Sequence, residues 1–206
     1  MLSIAVFASG RGSNFEALAK AISAGNVNAK IAVVISNNSG AGVLTLAEAM
    51  RIPALHLSQK QFPSQDIFTD AVLANLESFG VNFIVLAGYM KMLDPRVIRR
   101  YPNRIINIHP ALLPEFGGQG MYGHHVHEAV IARHAKRSGA TVHVVDEAFD
   151  HGPIVLQESI PVEPGDTPES LAAKVLTIEH RLLPRAVGLF AENKIRIERG
   201  VVTLLD

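Results

Sequence analysis

The stretch "SIAVFASGRGSNFEALAKAISAG" (residues 3–25) sets the frame. Its first seven residues are almost continuously apolar, as a strand covered on both faces requires. Two glycines follow in "SGRGSN" (9–14), and apolar residues then recur at helical spacing from Asn14 to a closing Gly25. Strand, glycine turn and helix in that order form the opening unit of an α/β protein with a parallel sheet.

The same rhythm continues outward. "KIAVVIS" (30–36) reads as a strand, "GVLTLAEAM" (42–50) as a helix, and a short strand is expected at 54–57. A helix over about 64–79, the strand "NFIVLAG" (82–88), a helix near 94–101 and a strand over 105–109 follow. Beyond Pro114 the pattern changes. "EFGGQGMYG" (115–123) holds four glycines in nine residues and reads as a mobile loop. A helix over about 124–137, strands "ATVHVVD" (140–146) and "PIVLQESIPV" (153–162) paired antiparallel, and a long helix from Thr167 to Glu192 come next. That helix opens on "TPES", with Thr at the cap, Pro in the first turn and an acid behind it. The tail reads as a two-stranded hairpin around Arg199-Gly200. The expected class is α/β: a Rossmann-like, mainly parallel sheet flanked by helices, with an antiparallel C-terminal extension. No linker or repeat breaks the chain, so residues 1–206 are expected to form one domain, with a phosphate-binding half (1–110) and a second half (111–206).

The 206 residues are 48% hydrophobic with a formal net charge of +0, enough for a core and against disorder. Such a balance offers no electrostatic reason to expect nucleic acid or an acidic membrane as partner. Cysteine is absent, which excludes disulfides, thiolate metal sites and a cysteine nucleophile. "MLSIAVFASG" lacks a basic leader and no run reaches the ~18 apolar residues of a membrane span. A soluble, cytoplasmic protein is expected.

Two places carry chemistry. The loop 9–14 joins a strand end to a helix start, where backbone amides favour an anion. Its spacing is neither G-x-G-x-x-G nor a P-loop, so a single phosphomonoester suits it better than a dinucleotide or triphosphate. The plainer reading is a tight turn with Ser13 or Asn14 capping the helix. The second place is "IINIHPALLP" (105–114), where Asn107 and His109, two apart on a strand, face one way and Pro110 stops the strand. Ligands of open α/β sheets sit at such carboxyl ends. Imidazole moves protons near neutrality, and an amide donates to an oxygen gaining negative charge. No G-x-S-x-G supplies a serine nucleophile, so transfer would be direct. A carboxylate partner for His109 is expected from "VDEAFDHGP" (145–153), which offers Asp146, Glu147 and Asp150 without choosing among them.

With "SGRGSN", "LAGYMKML" (86–93), "INIHPALLP" (106–114) and "DHGP" (150–153) in that order, the chain resembles the folate-dependent formyltransferase family, and within it the phosphoribosylglycinamide formyltransferases. The resemblance runs essentially end to end. It implies transfer of the formyl group of 10-formyltetrahydrofolate, a co-substrate, to the amine of glycinamide ribonucleotide in purine synthesis, without a metal. By the same resemblance Asn107 holds the formyl oxygen, His109 is the acid/base and Asp150 its carboxylate. Gly12, Ser13 and Asn14 grip the substrate phosphate, and Glu179 binds the ribose. Met90, Lys91, Met92 and Leu93, with backbone from Asp146 and Glu147 to Asp150, match the folate-binding segments. Partners are then small molecules only, and the protein a monomer or homodimer.

Three positions depart from the family pattern. Gln65 stands where some relatives carry an arginine near the folate tail. Gly117 replaces a common proline and is expected to loosen its loop without touching the chemistry. His151 fills the x of D-x-G-P, where it would crowd or hydrogen-bond the folate. His124, His125, His127 and His134 read as solvated loop and helix-start residues, since no H-E-x-x-H is present. Met50, Met90 and Met92 read as core or pocket filler, and Arg99 and Arg100 as a solvated helix end. A lone Glu179 would read as a surface acid. Three other functions compete. A methionyl-tRNA formyltransferase would need a basic C-terminal domain, and a 10-formyltetrahydrofolate hydrolase usually has an N-terminal regulatory one. A non-catalytic phosphate-ligand binding protein would not need Asn107, His109 and Asp150 together.

Overall fold

The computed structural model describes residues 1–205. The chain forms two compact units, Met1–Ile106 and the residues from Asn107 on. The first contains β1 (Leu2–Phe7), α1 (Ser13–Ser23), β2 (Ala29–Ser36), α2 (Gly42–Ala49), β3 (Ala54–His56), α3 (Gln65–Ser78), β4 (Phe83–Leu86) and α4 (Pro95–Arg100). A 3-10 turn at Gln59–Gln61 is the one addition to the expected elements. Strand β1 runs parallel to β2 and to β4, and β2 runs parallel to β3. All six residues of β1 are buried. That double cover is why the opening run is apolar without alternation.

Helix ends in this unit follow local chemistry. Beyond α1, Gly25 N–H bonds Ile22 O at 3.0 Å and Asn26 N–H bonds Ala21 O at 3.0 Å, the paired closure of a Schellman motif with glycine at φ 78°. Ser64 caps α3 by accepting Ile67 N–H, and Asp94 caps α4 by accepting Arg96 N–H, with Pro95 next in line.

β5 (Ile105–His109) spans the change of unit. The second unit continues with α5 (His124–Ala132), β6 (Arg137–Val144), β7 (Ile154–Pro161), α6 (Pro168–Ala191), β8 (Ile195–Glu198) and β9 (Val201–Leu204). The seven strands of the main sheet are ordered β3-β2-β1-β4-β5-β6-β7, and β8-β9 form a separate pair. As the sequence indicated, β6 and β7 are antiparallel, and so are β8 and β9. The register of β6 on β7 slips between Val142 and His143. Thr167 and Ser170 form the capping box of α6, whose buried stripe runs from Leu171 to Phe190. That stripe carries Pro184 through the helix interior despite its missing N–H.

α5 is shorter than its pattern suggests, stopping at Ala132 instead of running to about 137. His134 takes φ 51°, and Ala135 N–H returns to Val130 O while His134 N–H returns to Ile131 O. A histidine thus occupies the left-handed closing position where glycine is the usual signal. The chain is then free to begin β6 at Arg137, three residues earlier than expected.

Candidate active site

In the first unit, Gly12 ends the turn after β1 with φ 90° and ψ 22°. A β-carbon there would lie 2.7 Å from Val43 Cγ2, so both the dihedral and the packing demand glycine. Its carbonyl accepts Glu16 N–H at 2.9 Å, and α1 starts at Ser13 with no side-chain cap. The capping role read for Ser13 or Asn14 is therefore absent. Asn14 is buried. Ser9 ties the strand ends together: its Oγ donates to Asn37 Oδ1 at 2.6 Å and accepts Met90 N–H at 2.9 Å. Met90 and Met92 are 50% and 46% exposed, so neither is core filler, and Lys91 is exposed as well. Leu93, by contrast, is buried. Gln65 Nε2 lies 3.4 Å from Thr69 Oγ1, which donates to the cap carboxylate of Asp94 at 3.0 Å.

In the second unit, β5 ends with Ile106 and Ile108 in the core, Asn107 half-buried and His109 buried at 3% exposure. His109 Nε2 lies 2.7 Å from Phe116 O. A carbonyl only accepts, so this nitrogen carries the proton, and Nδ1 is left facing Asp150 Oδ1 at 3.5 Å. Asn107 Nδ2 sits 3.5 Å from the same oxygen and 3.1 Å from His143 Nε2. His143 Nε2 is also 3.5 Å from Asp150 Oδ1. The other carboxylate oxygen accepts Gly118 N–H at 3.1 Å. One oxygen of Asp150 is therefore ringed by three side-chain nitrogens. Asp150 itself holds φ 53°, a left-handed backbone unusual for a residue other than glycine.

Burial is the largest influence on the His109 imidazole and pulls it below its usual range, against the carboxylate of Asp150 and the Phe116 carbonyl. Burial pulls Asp150 upward. The neighbouring His143 and His109 rings and Gly118 N–H outweigh it and leave the carboxyl below its usual range. The pair is a neutral imidazole beside an ionised carboxylate.

Geometry separates the three acids that spacing left open. Asp150 faces His109, whereas Asp146 turns into its own loop, accepting Ala148 N–H at 2.9 Å and pairing with His151 Nδ1 at 3.1 Å. Glu147 is exposed. Glu179 lies on α6 and is buried, not a surface acid. A β-carbon at Gly117 would lie 2.5 Å from Leu113 Cδ2 and 3.1 Å from Asp150 Cβ, so the residue packs closely beside the Asp150 cluster. The run 115–123 folds back as successive turns, with Phe116 fully buried.

Among the grouped histidines, His124 and His125 are exposed beside Glu128, as expected. His127 is not solvated: it is 4% exposed, its Nδ1 has no hydrogen-bond partner among the described residues, and burial holds it down to about 4. Among the described residues no group of three or more His, Asp or Glu is placed to hold a metal ion, and no helix is long and apolar enough to cross a membrane. The member of this cluster missed at the sequence level is His143. Its signal was the alternation in "ATVHVVD", which puts it on the face of Thr141, a residue that donates to Ala111 O at 2.7 Å just after the Asn-His strand end.

The family profile described as Formyl transferase matches residues 2–187. A chloroplastic phosphoribosylglycinamide formyltransferase of Arabidopsis thaliana is 40% identical, over 98% of this chain and 70% of its own. The phosphoribosylglycinamide formyltransferase of Haemophilus influenzae is 37% identical over 99% of this chain and 94% of its own. Among solved structures, glycinamide ribonucleotide transformylase 1 from Symbiobacterium toebii superposes with a TM-score of 0.94 at 38% identity, covering 100% of this chain and 95% of that one.

Proposed function

The chain belongs to the formyl transferase family, and from that premise we infer that it moves the formyl group of 10-formyltetrahydrofolate to the amine of glycinamide ribonucleotide, a step of purine biosynthesis. One observation carries the assignment of roles: Asp150 Oδ1 stands 3.5 Å from both His109 Nδ1 and Asn107 Nδ2.

The substrate amine attacks the formyl carbon and a new C–N bond forms. The carbonyl oxygen gains negative charge, and an Asn107 N–H is the neutral donor suited to meet it. As the bond to the folate nitrogen breaks, one proton must travel from the attacking amine to that nitrogen. His109 is the group to carry it, through Nδ1, because Nε2 is committed to the Phe116 carbonyl. The ionised Asp150 lowers the cost of the transient imidazolium. Gly12, Ser13 and Asn14 are proposed to take the phosphate, supported by a helix start that no side chain caps. Glu179 is proposed for the ribose, with Met90, Lys91, Met92, Leu93, Asp146 and Glu147 for the folate. The burial of Leu93 limits it to a backbone contact. The same reading treats the chain as one domain, working in the cytoplasm as a monomer or homodimer.

The test is tetrahydrofolate release from 10-formyltetrahydrofolate, followed spectrophotometrically with and without glycinamide ribonucleotide. Release that requires the ribonucleotide, with the formylated product confirmed by mass, is the expected outcome. Equal release in both tubes would mean water is the acceptor and the protein a hydrolase. No release from a folded sample that binds the ribonucleotide would make it a binding protein.

A further inference from the structure

The formyl-transfer reading uses Asn107, His109 and Asp150 and leaves His143, buried in the same cluster, without a task. We propose that His143 is a positioning residue that sets the orientation of the Asn107 amide, so that one amide N–H is kept ready for the formyl oxygen. The inference rests on the reaction proposed above.

For a neutral His143 ring the contacts assign the protons. His143 Nδ1 lies 3.0 Å from Val144 O, which can only accept, so Nδ1 carries the hydrogen. In the neutral ring Nε2 then presents a lone pair, and the atom 3.1 Å away is Asn107 Nδ2. The amide nitrogen therefore points inward. Turned over, Asn107 would set its Oδ1 against the Nε2 lone pair and against the Asp150 carboxylate, two repulsions at once. Asn107 has no charge and no intrinsic preference between the two orientations, so its neighbours decide.

The two amide hydrogens are not held equally. One is engaged by His143 at 3.1 Å, while the other reaches Asp150 Oδ1 only at 3.5 Å, the outer limit of a useful hydrogen bond. The weakly held hydrogen is the one an incoming oxyanion can claim. The slip in register between Val142 and His143 belongs to this arrangement, since irregularities of this kind re-aim side chains beside active sites.

Two measurements test the proposal. Nitrogen-15 NMR of the full chain should find His143 protonated on Nδ1 and not on Nε2; the opposite tautomer overturns the proposal whatever the protein catalyses. In the transferase assay, His143→Leu should lower kcat by roughly tenfold or more, as expected for losing one oriented hydrogen bond in the transition state, with KM for both substrates little changed. His143→Gln, whose side-chain oxygen can accept from Asn107, should recover most of that loss. In an Asn107→Ala background, His143→Leu should cost less than about threefold, because its action runs through the missing amide. An equal loss in both backgrounds, or full kcat in folded His143→Leu, overturns it. If the wild-type chain shows no transfer at all, the proposed reaction fails, while the NMR result still decides the geometry.

Discussion

At residues 9–14 the chain turns once, on a glycine, and the first helix starts from that turn. Around Asp150 the chain instead collects Gly118 from 32 positions away and Asn107 from 43. Local chemistry shapes the first, through a left-handed Gly12 and a carbonyl that accepts Glu16 N–H, with Val43 of α2 packed where a side chain would stand. In the second, no short segment contains the site. It exists only when β5, β6 and the loops at 116–118 and 146–150 are all in place. A helix-starting turn can be written into a dozen residues, whereas the cluster around Asp150 needs groups whose spacing is set by the sheet.

Breaking the distributed site should have the largest effect. His109→Ala is expected to lower kcat by ~10²–10⁴-fold, the usual loss for a general acid/base, with circular dichroism confirming the fold. A folded variant with undiminished turnover would take His109 out of the mechanism.

Acid should separate the two units. His127 titrates at about 4 in the folded protein, against an ordinary 6.5, and His109 is displaced in the same direction. Between these values the unfolded chain binds more protons, so stability declines as pH falls from 6.5 toward 4, by up to about 3 kcal/mol for His127. Asp94 in the first unit is held below its ordinary 3.8, so its contribution is lost only at still lower pH. Hydrogen exchange at pH 7, 5.5 and 4.5 should show protection in β6 and α6 declining ahead of β1, and His127→Gln should flatten the decline. Uniform loss across both units would break the distinction.

The glycine turn gives a smaller effect that sharpens the same contrast. Gly25→Ala meets nothing within 4 Å and bears only the left-handed backbone penalty, about 1 kcal/mol. Gly12→Ala adds the collision with Val43 and should cost about 2–3 kcal/mol in denaturant unfolding, since α2 must shift. Equal costs would mean that α2 yields freely. The smallest effect belongs to His151→Ala. Its ring pairs with Asp146 at 3.1 Å but is 78% exposed, and such pairs contribute less than ~1 kcal/mol. A larger drop in Tm would show that this pair braces the loop carrying Asp150.

Much of this was legible in advance for identifiable reasons. Strands buried on both faces announce themselves as apolar runs, and Ile105–His109 was placed to the residue because Pro110 ends it. Capping residues and Arg199-Gly200, with φ 49° and 76°, marked α6 and the last hairpin as clearly. The end of α5 was missed because His134, not glycine, closes it. By spacing Asp150 was one of three acids, and only the family resemblance singled it out before the loop fold showed Asp146 turned back onto its own backbone. His143 and His127 each looked like one polar residue in a strand or helix. Only their neighbours show that His143 meets Asn107, while His127 Nδ1 meets no hydrogen-bond partner among the described residues.

The sequence by itself determined the α/β class, the parallel opening units, the glycine turn before the first helix and the direction in which Asn107 and His109 face. These depend on backbone periodicity and on steric rules that act over a few residues. Spacing left the carboxylate beside His109 open; the tertiary structure showed Asp150 there, and it alone decided that His143 also faces that carboxylate, that Gly117 packs against Asp150, and that Glu179 and His127 are buried. Those outcomes depend on distances between segments tens of residues apart, which burial of the whole sheet sets and no local pattern contains.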